Sequence, residues 1–385
     1  MKIAVRIVQI LVGLLFIISG LIKANDPLGL SYKMEEFFIV WSEDLKENNF
    51  FTGLFNFLNE HNLFLSIVMI TLEIVAGIAL LVGWRKKLVL YLLLVLIIFF
   101  SFLTGYAYYA KYPNGLPKFT NCGCFGDCLP ITPLTSFIKD LLLLAMIVLL
   151  IKGQRFVQAV FSNKMRTIIV IAGLILSLLL QWYVLKYLPL VDCLPLKEGN
   201  NLAEQRKPPK NAMPSVYETR LVYENFRTKE VRDMSQDEFN DSKIWEDTSW
   251  KWKETKTKLI RQGTDIPKLP NFSLTTLSGV DSTEAILNYP DSCFLYFVDP
   301  EKNKKLFDQE LWDQKAKQVP VFVVTTEPSF FKYDQSRNYK VFTADGTAFR
   351  TAARANPTIY LLKKGTILNK WSLERIPVSI ISNKN

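Results

Sequence analysis

Cysteine and histidine are scarce in this chain, with five and one among 385 residues. Three of the five cysteines nonetheless fall within one short stretch, Cys122-Gly123-Cys124-Phe125-Gly126-Asp127-Cys128, a spacing rare by chance at such low abundance. The lone histidine, His61, is far from it in sequence. Three clustered thiols with no adjacent imidazole make a poor closed metal site, so no metal is expected. A signal-peptide cleavage site is also missing. The first apolar run is followed by Lys23, Asn25 and Asp26 and not by a small-x-small motif, which reads as an uncleaved helix. Beyond Leu188 no apolar run is long enough to cross a bilayer. The C-terminal half is therefore expected outside the membrane.

Five runs do approach the length needed for about 30 Å of hydrocarbon: Ile3–Ile22, Leu63–Val82, Leu88–Tyr109, Leu134–Ile151 and Thr167–Leu188. Short basic loops set their orientation. Lys2 and Arg6 flank the first run. Arg85, Lys86 and Lys87 separate the second from the third, and Lys152, Arg155, Lys164 and Arg166 separate the fourth from the fifth. All three clusters lie on one side if the N-terminus is cytoplasmic, and an odd number of crossings then puts the C-terminus outside. The expected setting is a bacterial cytoplasmic membrane with a periplasmic C-terminal domain. All five cysteines then face an oxidising compartment, where disulfides persist. The formal charge of +10 follows largely from the topology-setting loops and calls for no nucleic acid.

Polar residues inside the apolar runs are expensive. Glu73, near the middle of the second run, should face the bundle interior. It reads either as a proton or quinone site or as a neutral carboxyl bonded between helices. Lys23 ends the first run. Lys139 and Asp140 lie in the first turns of the fourth, from where they can snorkel to the outer interface. Pro27 and Gly29 are expected to stop the first helix. The aromatic segment Leu30–Asn62 reads as short helices on the outer bilayer face or as a lid over the bundle.

Lys197–Pro214 contains Pro208-Pro209 and reads as a linker. Tyr217–Phe226 and Thr248–Ile260 read as strands, the second with an exposed lysine row. From Pro270 the pattern becomes strand Cys293–Val298, helix Glu301–Lys317, strands Val319–Thr325 and Tyr339–Thr343, and a hairpin formed by Asn356–Leu362 and Thr366–Trp371. That is an α/β layer fold. The expected domains are 1–152 for a four-helix membrane bundle, 153–196 for the fifth span, 197–265 for a linker and small β-rich connector, and 266–385 for an outer α/β domain.

This last region resembles the thioredoxin fold. Asn356-Pro357-Thr358, an apolar strand and Lys-Gly look like that fold's cis-proline strand and hairpin, which implies an extended-peptide site at Asn356, Pro357 and Thr358. Where the family carries Cys-x-x-Cys, this chain reads Asp299-Pro300-Glu301-Lys302-Asn303, so the domain is expected to be redox-silent. Cys293 reads as a core residue. The membrane part resembles the DoxX-like family, close to MauE proteins. The resemblance rests on Gly20-x-x-Lys23-x-x-Asp26-Pro27 with Tyr32 and Lys33, on Glu73-x-x-x-Gly77, on Cys122-Gly-Cys124-Phe-Gly126, and on Phe137-x-Lys139-Asp140. It implies an envelope protein linked to maturation of disulfide-bearing exported proteins.

Two functions follow. In the first, Cys122, Cys124, Cys128 and Cys193 supply one or two structural disulfides, with the pairing open. The protein is then an accessory or scaffold that touches the lipid bilayer and other cytoplasmic-membrane and exported proteins, with no cofactor. In the second, Cys122, Cys124 and Cys128 are catalytic in a quinone-linked thiol–disulfide oxidoreductase.

Overall fold

The computed structural model describes residues 2–45, 49–112, 114–119, 121–123, 126–129, 131–261, 263–300, 307–331, 337–377 and 380. Seven helices open the chain: α1 (Lys2–Ala24), α2 (Pro27–Asp44), α3 (Asn49–Glu60), α4 (Asn62–Val82), α5 (Lys86–Tyr109), α6 (Pro133–Lys152) and α7 (Asn163–Tyr187). Five of them, α1 and α4 to α7, are long and apolar enough to cross a membrane, and they coincide with the five apolar runs. Helix α1 packs along α4 and α5 along α6. Contacts of α4 with α5 and of α1 with α6 close a four-helix bundle, and α7 lies outside against α4. Gln181 of α7 donates to Thr71 Oγ1 at 2.9 Å across that last contact.

Pro27 does not stop α1. That helix ends at Ala24, and Asp26 then caps α2 by accepting from Gly29 N at 3.2 Å, with Pro27 in the first turn. A proline at that position lacks only an N–H that no helix could satisfy, so it favours a start. Helix α2 buries Leu30, Met34, Phe37, Phe38 and Val40 and packs on α4 and α1 as a lid over one end of the bundle. Helix α3 buries nothing and leaves Phe50 73% and Phe57 56% exposed.

The close crossing of α1 and α4 depends on small residues. A Cβ on Gly77 would meet Gly13 O and Ile17 Cγ1, both at 2.8 Å. The backbone has nowhere to retreat without parting the helices. We expect Gly77→Val to destabilise the detergent-solubilised protein by about 1–3 kcal/mol through overpacking. Gly53→Ala, on α3 with nothing within 4 Å, should not lower stability. Thermal unfolding of the two variants checks this, and equal midpoints would remove the crossing from the account.

Gln9, fully buried, donates to Leu80 O at 2.7 Å and to Gln158 O at 3.1 Å, and Arg166 donates to Gly83 O at 2.8 Å. The N-terminus and the α4–α5 and α6–α7 connections, which carry the three basic clusters, therefore meet at one end of the bundle. The rest of the chain sits at the other.

The C-terminal half begins inside the stretch read as a linker. Leu202 in α8 (Leu202–Gln205) and, just before that stretch, Leu196 are fully buried in the core of the larger sheet. Its polar composition hid this, because two leucines suffice to anchor it. Strands β1 (Val216–Asn225), β2 (Val231–Ser235) and, after α9 (Gln236–Ser242), β3 (Trp250–Arg261) form an antiparallel sheet in the order β2-β1-β3. Then come β4 (Thr275–Thr276), α10 (Thr283–Leu287), β5 (Ser292–Phe297), α11 (Gln309–Ala316), β6 (Val321–Thr325), β7 (Lys340–Thr343), α12 (Gly346–Ala352), β8 (Thr358–Lys363) and β9 (Thr366–Ser372). They form a mixed sheet in the order β4-β7-β6-β5-β8-β9, with β5, β6 and β7 mutually parallel and β8 and β9 antiparallel. Apolar cores cover both faces, which is why β5 and β6 read as continuous hydrophobic runs. The helix expected over 301–317 begins only at Gln309, because Asp308 caps it through Leu311 N at 3.0 Å. Residues 301–306 lie outside the described ones. The Asn356–Pro357 bond is cis.

Candidate functional site

The loop between α5 and α6, at the end of the bundle away from the basic clusters, carries the cysteine stretch. Cys128 is joined to Cys193 by a disulfide, with Cα atoms 4.9 Å apart. This is one of the pairings the sequence left open, and it ties the bundle's outer loop to the segment that follows α7. Cys122 is 5% exposed, with its Sγ 2.9 Å from Ser136 Oγ in the first turn of α6. Cys124 lies outside the described residues. Gly123, at φ +69°, passes over Lys33 so closely that a Cβ would sit 2.8 Å from Lys33 Cγ. Cys293 is buried in β5, and burial pushes its thiol up to about 12. A thiol so rarely ionised is a poor nucleophile.

Below this loop the four intramembrane polar residues of the sequence meet at one cavity. It measures about 20 Å³ and is lined by Ser19 and Lys23 of α1, Glu73 of α4, and Lys139 and Asp140 of α6, with Phe16, Ile97, Phe100 and Leu143 around them. Lys23 pairs with Glu73, and both are at most 2% exposed. Ser19 Oγ donates to Glu73 at 3.2 Å. The Lys23 ammonium also lies 4.6 Å from the centre of the Phe100 ring. Lys139 pairs with Asp140 at 2.8 Å, and Thr104 Oγ1 of α5 stands 3.0 Å from the other Asp140 oxygen. Asp140 is 1% exposed. It turns inward and does not snorkel, because Lys139 and Thr104 satisfy it within the bundle. Among the described residues no group of three histidine, cysteine, aspartate or glutamate side chains is placed to hold a metal ion.

The mixed-sheet domain is fastened across the outer end of the bundle. Arg354, 5% exposed, reaches Asp26 at 2.9 Å, and Arg350 of α12 reaches Glu35 of α2 at 2.8 Å. Both guanidiniums lie over the Tyr32 ring, at 5.3 and 5.4 Å from its centre. Burial raises the Tyr32 hydroxyl above its ordinary range, against the pull of Arg354 and Arg350. Asn25 exchanges two hydrogen bonds with the backbone of Val191, at 2.8 and 3.0 Å. Beside Cys193, Asp192 accepts from Lys370 at 2.7 Å. Burial lowers that ammonium from the usual lysine range in spite of its partner. Arg375 bonds the Tyr183 hydroxyl at the end of α7.

Between α2, the outer loop and α12 a cleft of about 930 Å³ remains, with Tyr32, Glu36, Lys118, Lys268, Thr351 and the Cys128–Cys193 pair in its walls. The proline loop expected to hold peptide does not line it. Pro357 and Thr358 are buried, and Thr358 Oγ1 donates to Ala355 O at 2.7 Å. The Asn356 amide is fixed on both sides of Asp299, donating to its O at 2.8 Å and accepting from its N at 3.0 Å. Sequence reasoning missed Arg350, Arg354, Asp192, Lys370, Thr104 and Ser136. The i, i+4 spacing of the two arginines was the one local cue, and nothing local pointed to partners in α2 or before it.

The outer loop is also held by Asp44, at the end of α2. A hydrogen bond from Lys118, and then one from Tyr106, keep its carboxyl below the ordinary 3.8. A depressed folded-state value stabilises above the unfolded one and is lost as pH falls through the folded one. Asp44 is 40% exposed, so solvent screening limits the effect to under about 1 kcal/mol. We expect Asp44→Asn to raise hydrogen exchange in residues 114–119 at neutral pH. Its difference from the wild type should vanish well below pH 3.8. A difference that persists there would assign the protection to other contacts.

Five helices long and apolar enough to cross a membrane, followed by a mixed-sheet domain, define a multi-pass membrane protein. Residues 1–153 match the family of the methylamine utilisation protein MauE, so the part similar to that family covers the bundle and stops before α7. No curated protein and no solved structure matches the chain.

Proposed function

We propose that this is an accessory or scaffold protein of the bacterial cytoplasmic membrane. It holds a redox-silent, thioredoxin-like domain on the periplasmic side and helps exported proteins mature or assemble there. The observation that carries the reading is the fastening of the sheet domain across the bundle by a disulfide and buried ion pairs, which leaves a cleft of about 930 Å³ between them. The fastening favours a fixed platform over a domain that shuttles electrons. The thioredoxin-like assignment is supported by the parallel β5-β6-β7 core and the antiparallel hairpin of β8 and β9. The convergence of the basic loops at the opposite end supports the sidedness, and the match to MauE supports a membrane accessory role.

The test is site-specific photocrosslinking in cells. A photoreactive residue at Thr351, inside the cleft, should give adducts with exported proteins, and one at Lys251, on the exposed face of β3, should not. Equal labelling from both positions, or none from Thr351, defeats the platform. Protease added to intact spheroplasts should cleave the C-terminal half, and protection would reverse the topology.

A second reading, a quinone-linked thiol–disulfide oxidoreductase, is favoured by one observation: Cys122 Sγ touches Ser136, one helical turn from Asp140 at the ionic cavity. Cys122, Cys124 and Cys128 would then cycle. Alkylation mass must change stepwise when reductant or quinone is added to the purified protein. A fixed mass would leave the disulfide a structural role only.

A further inference from the structure

The charged residues at the bundle cavity form a neutral quartet. Two ammoniums, Lys23 and Lys139, face two carboxylates, Glu73 and Asp140, and hydroxyls from Ser19 and Thr104 complete the bonding. Holding a bundle together does not require this. Apolar residues of similar volume often stabilise as well as or better than a buried ion pair. Ionisable groups inside spanning segments instead mark ion or proton pathways by default.

Its placement is one-sided. Asp140 lies seven residues from the start of α6, about 10 Å in from the outer end of that helix at 1.5 Å per residue. Outward, the next side chains are polar: Ser136, fully buried one turn before Asp140, and Cys122 against it. Inward, Leu143, Ile97 and Phe16 close the cavity, with Val12, Leu93 and Ile147 behind them, all at most 5% exposed. A cavity of about 20 Å³ has room for a water between polar partners. The two pairs also differ in their freedom to part. Lys23 is 2% exposed and enclosed, whereas Lys139 is 25% exposed at the edge of the bundle. Its stem can carry the ammonium toward the headgroups.

We propose that Asp140 is a proton-binding site that communicates with the outer solution only, and that Lys139 is released toward the outer interface when Asp140 takes up a proton. The proton adds to a carboxylate oxygen of Asp140, and no bond breaks except the ion pair. The charge gained leaves the cavity with the Lys139 ammonium. The groups facing Asp140 are Lys139 on its own helix, Lys23 and Ser19 on α1, Glu73 on α4 and Thr104 on α5, with Cys122 one turn further out against Ser136. The bundle thereby gains a proton-sensitive side chain beneath the loop that carries the domain-fastening disulfide.

The experiment is infrared difference spectroscopy on the full chain in oriented proteoliposomes, with aspartate carrying a carbon isotope label. Acidifying the outer medium from about pH 8 to about pH 4 should produce one labelled protonated-carboxyl band in the buried-carboxyl region. Asp140→Asn should abolish it and Asp237→Asn, at an exposed position of α9, should leave it. Acidifying the inner side alone should not produce it. The proposal is overturned if no such band forms, if it survives Asp140→Asn, or if it follows the inner pH. Should Asp140→Asn fail to fold, Thr104→Val decides. Losing the hydroxyl 3.0 Å from the carboxylate should move the midpoint of the band to higher pH, and an unmoved midpoint overturns the assignment.

Discussion

Breaking the Lys23–Glu73 pair from one side is expected to cost about 3–5 kcal/mol, the largest single-residue effect in the membrane part. Both side chains are at most 2% exposed, and they join α1 to α4, the most intimate helix pair of the bundle. Lys23→Met leaves the Glu73 carboxyl without its paired ammonium, with the Ser19 hydroxyl 3.2 Å away. Glu73→Gln leaves the Lys23 ammonium without its paired carboxylate, over the Phe100 ring at 4.6 Å. A cation–π contact is worth about 2 kcal/mol when desolvated, too little to hold a buried charge alone. The double variant Lys23→Met/Glu73→Leu removes both charges and should recover most of the loss. Thermal unfolding in one detergent measures all three, and the signature is non-additivity. Additive losses would mean that the two residues act separately and that the pair is not what joins the helices.

The second large effect is expected at Cys128–Cys193. The bridge closes a separation of 65 residues, for which chain entropy gives about 4 kcal/mol. Helices α6 and α7 lie within that loop and stay in the bilayer when the outer parts unfold. The loop is thus already restricted, and about 2–4 kcal/mol is the expected loss for Cys128→Ser/Cys193→Ser. The loss should be local. The bundle should keep its unfolding midpoint, while the segment around Val191 and the outer loop become protease-sensitive, because Asn25–Val191 and Arg354–Asp26 are then the remaining ties nearby. A global loss of bundle stability would show that the disulfide supports the helices and not the docking of the sheet domain.

The apolar helices, the strands β5, β6, β8 and β9, and the burial of Cys293 were legible because each is written locally. A run of apolar residues has nowhere to go but hydrocarbon or a core. The short strand β2 and helix α12 were not legible. Each is brief, and its pairing or capping rather than its composition holds it, as Asp345 does for α12 by accepting from Thr347 N at 2.9 Å. Pro27 misled in the same way, since a proline marks a helix boundary without saying which helix it belongs to.

By itself the sequence marked five runs long and apolar enough to cross a membrane, basic loops sharing one end, and a sheet domain after them. These follow from hydropathy and charge, which act residue by residue. Only the tertiary structure decided that Cys128 meets Cys193 and that Lys23, Glu73, Lys139 and Asp140 share one cavity. It also decided that Arg350 and Arg354 grip Glu35 and Asp26 across more than three hundred residues of chain. Such contacts depend on how helices cross and where a domain comes to rest, and no local pattern encodes the partner of a side chain that finds it through space.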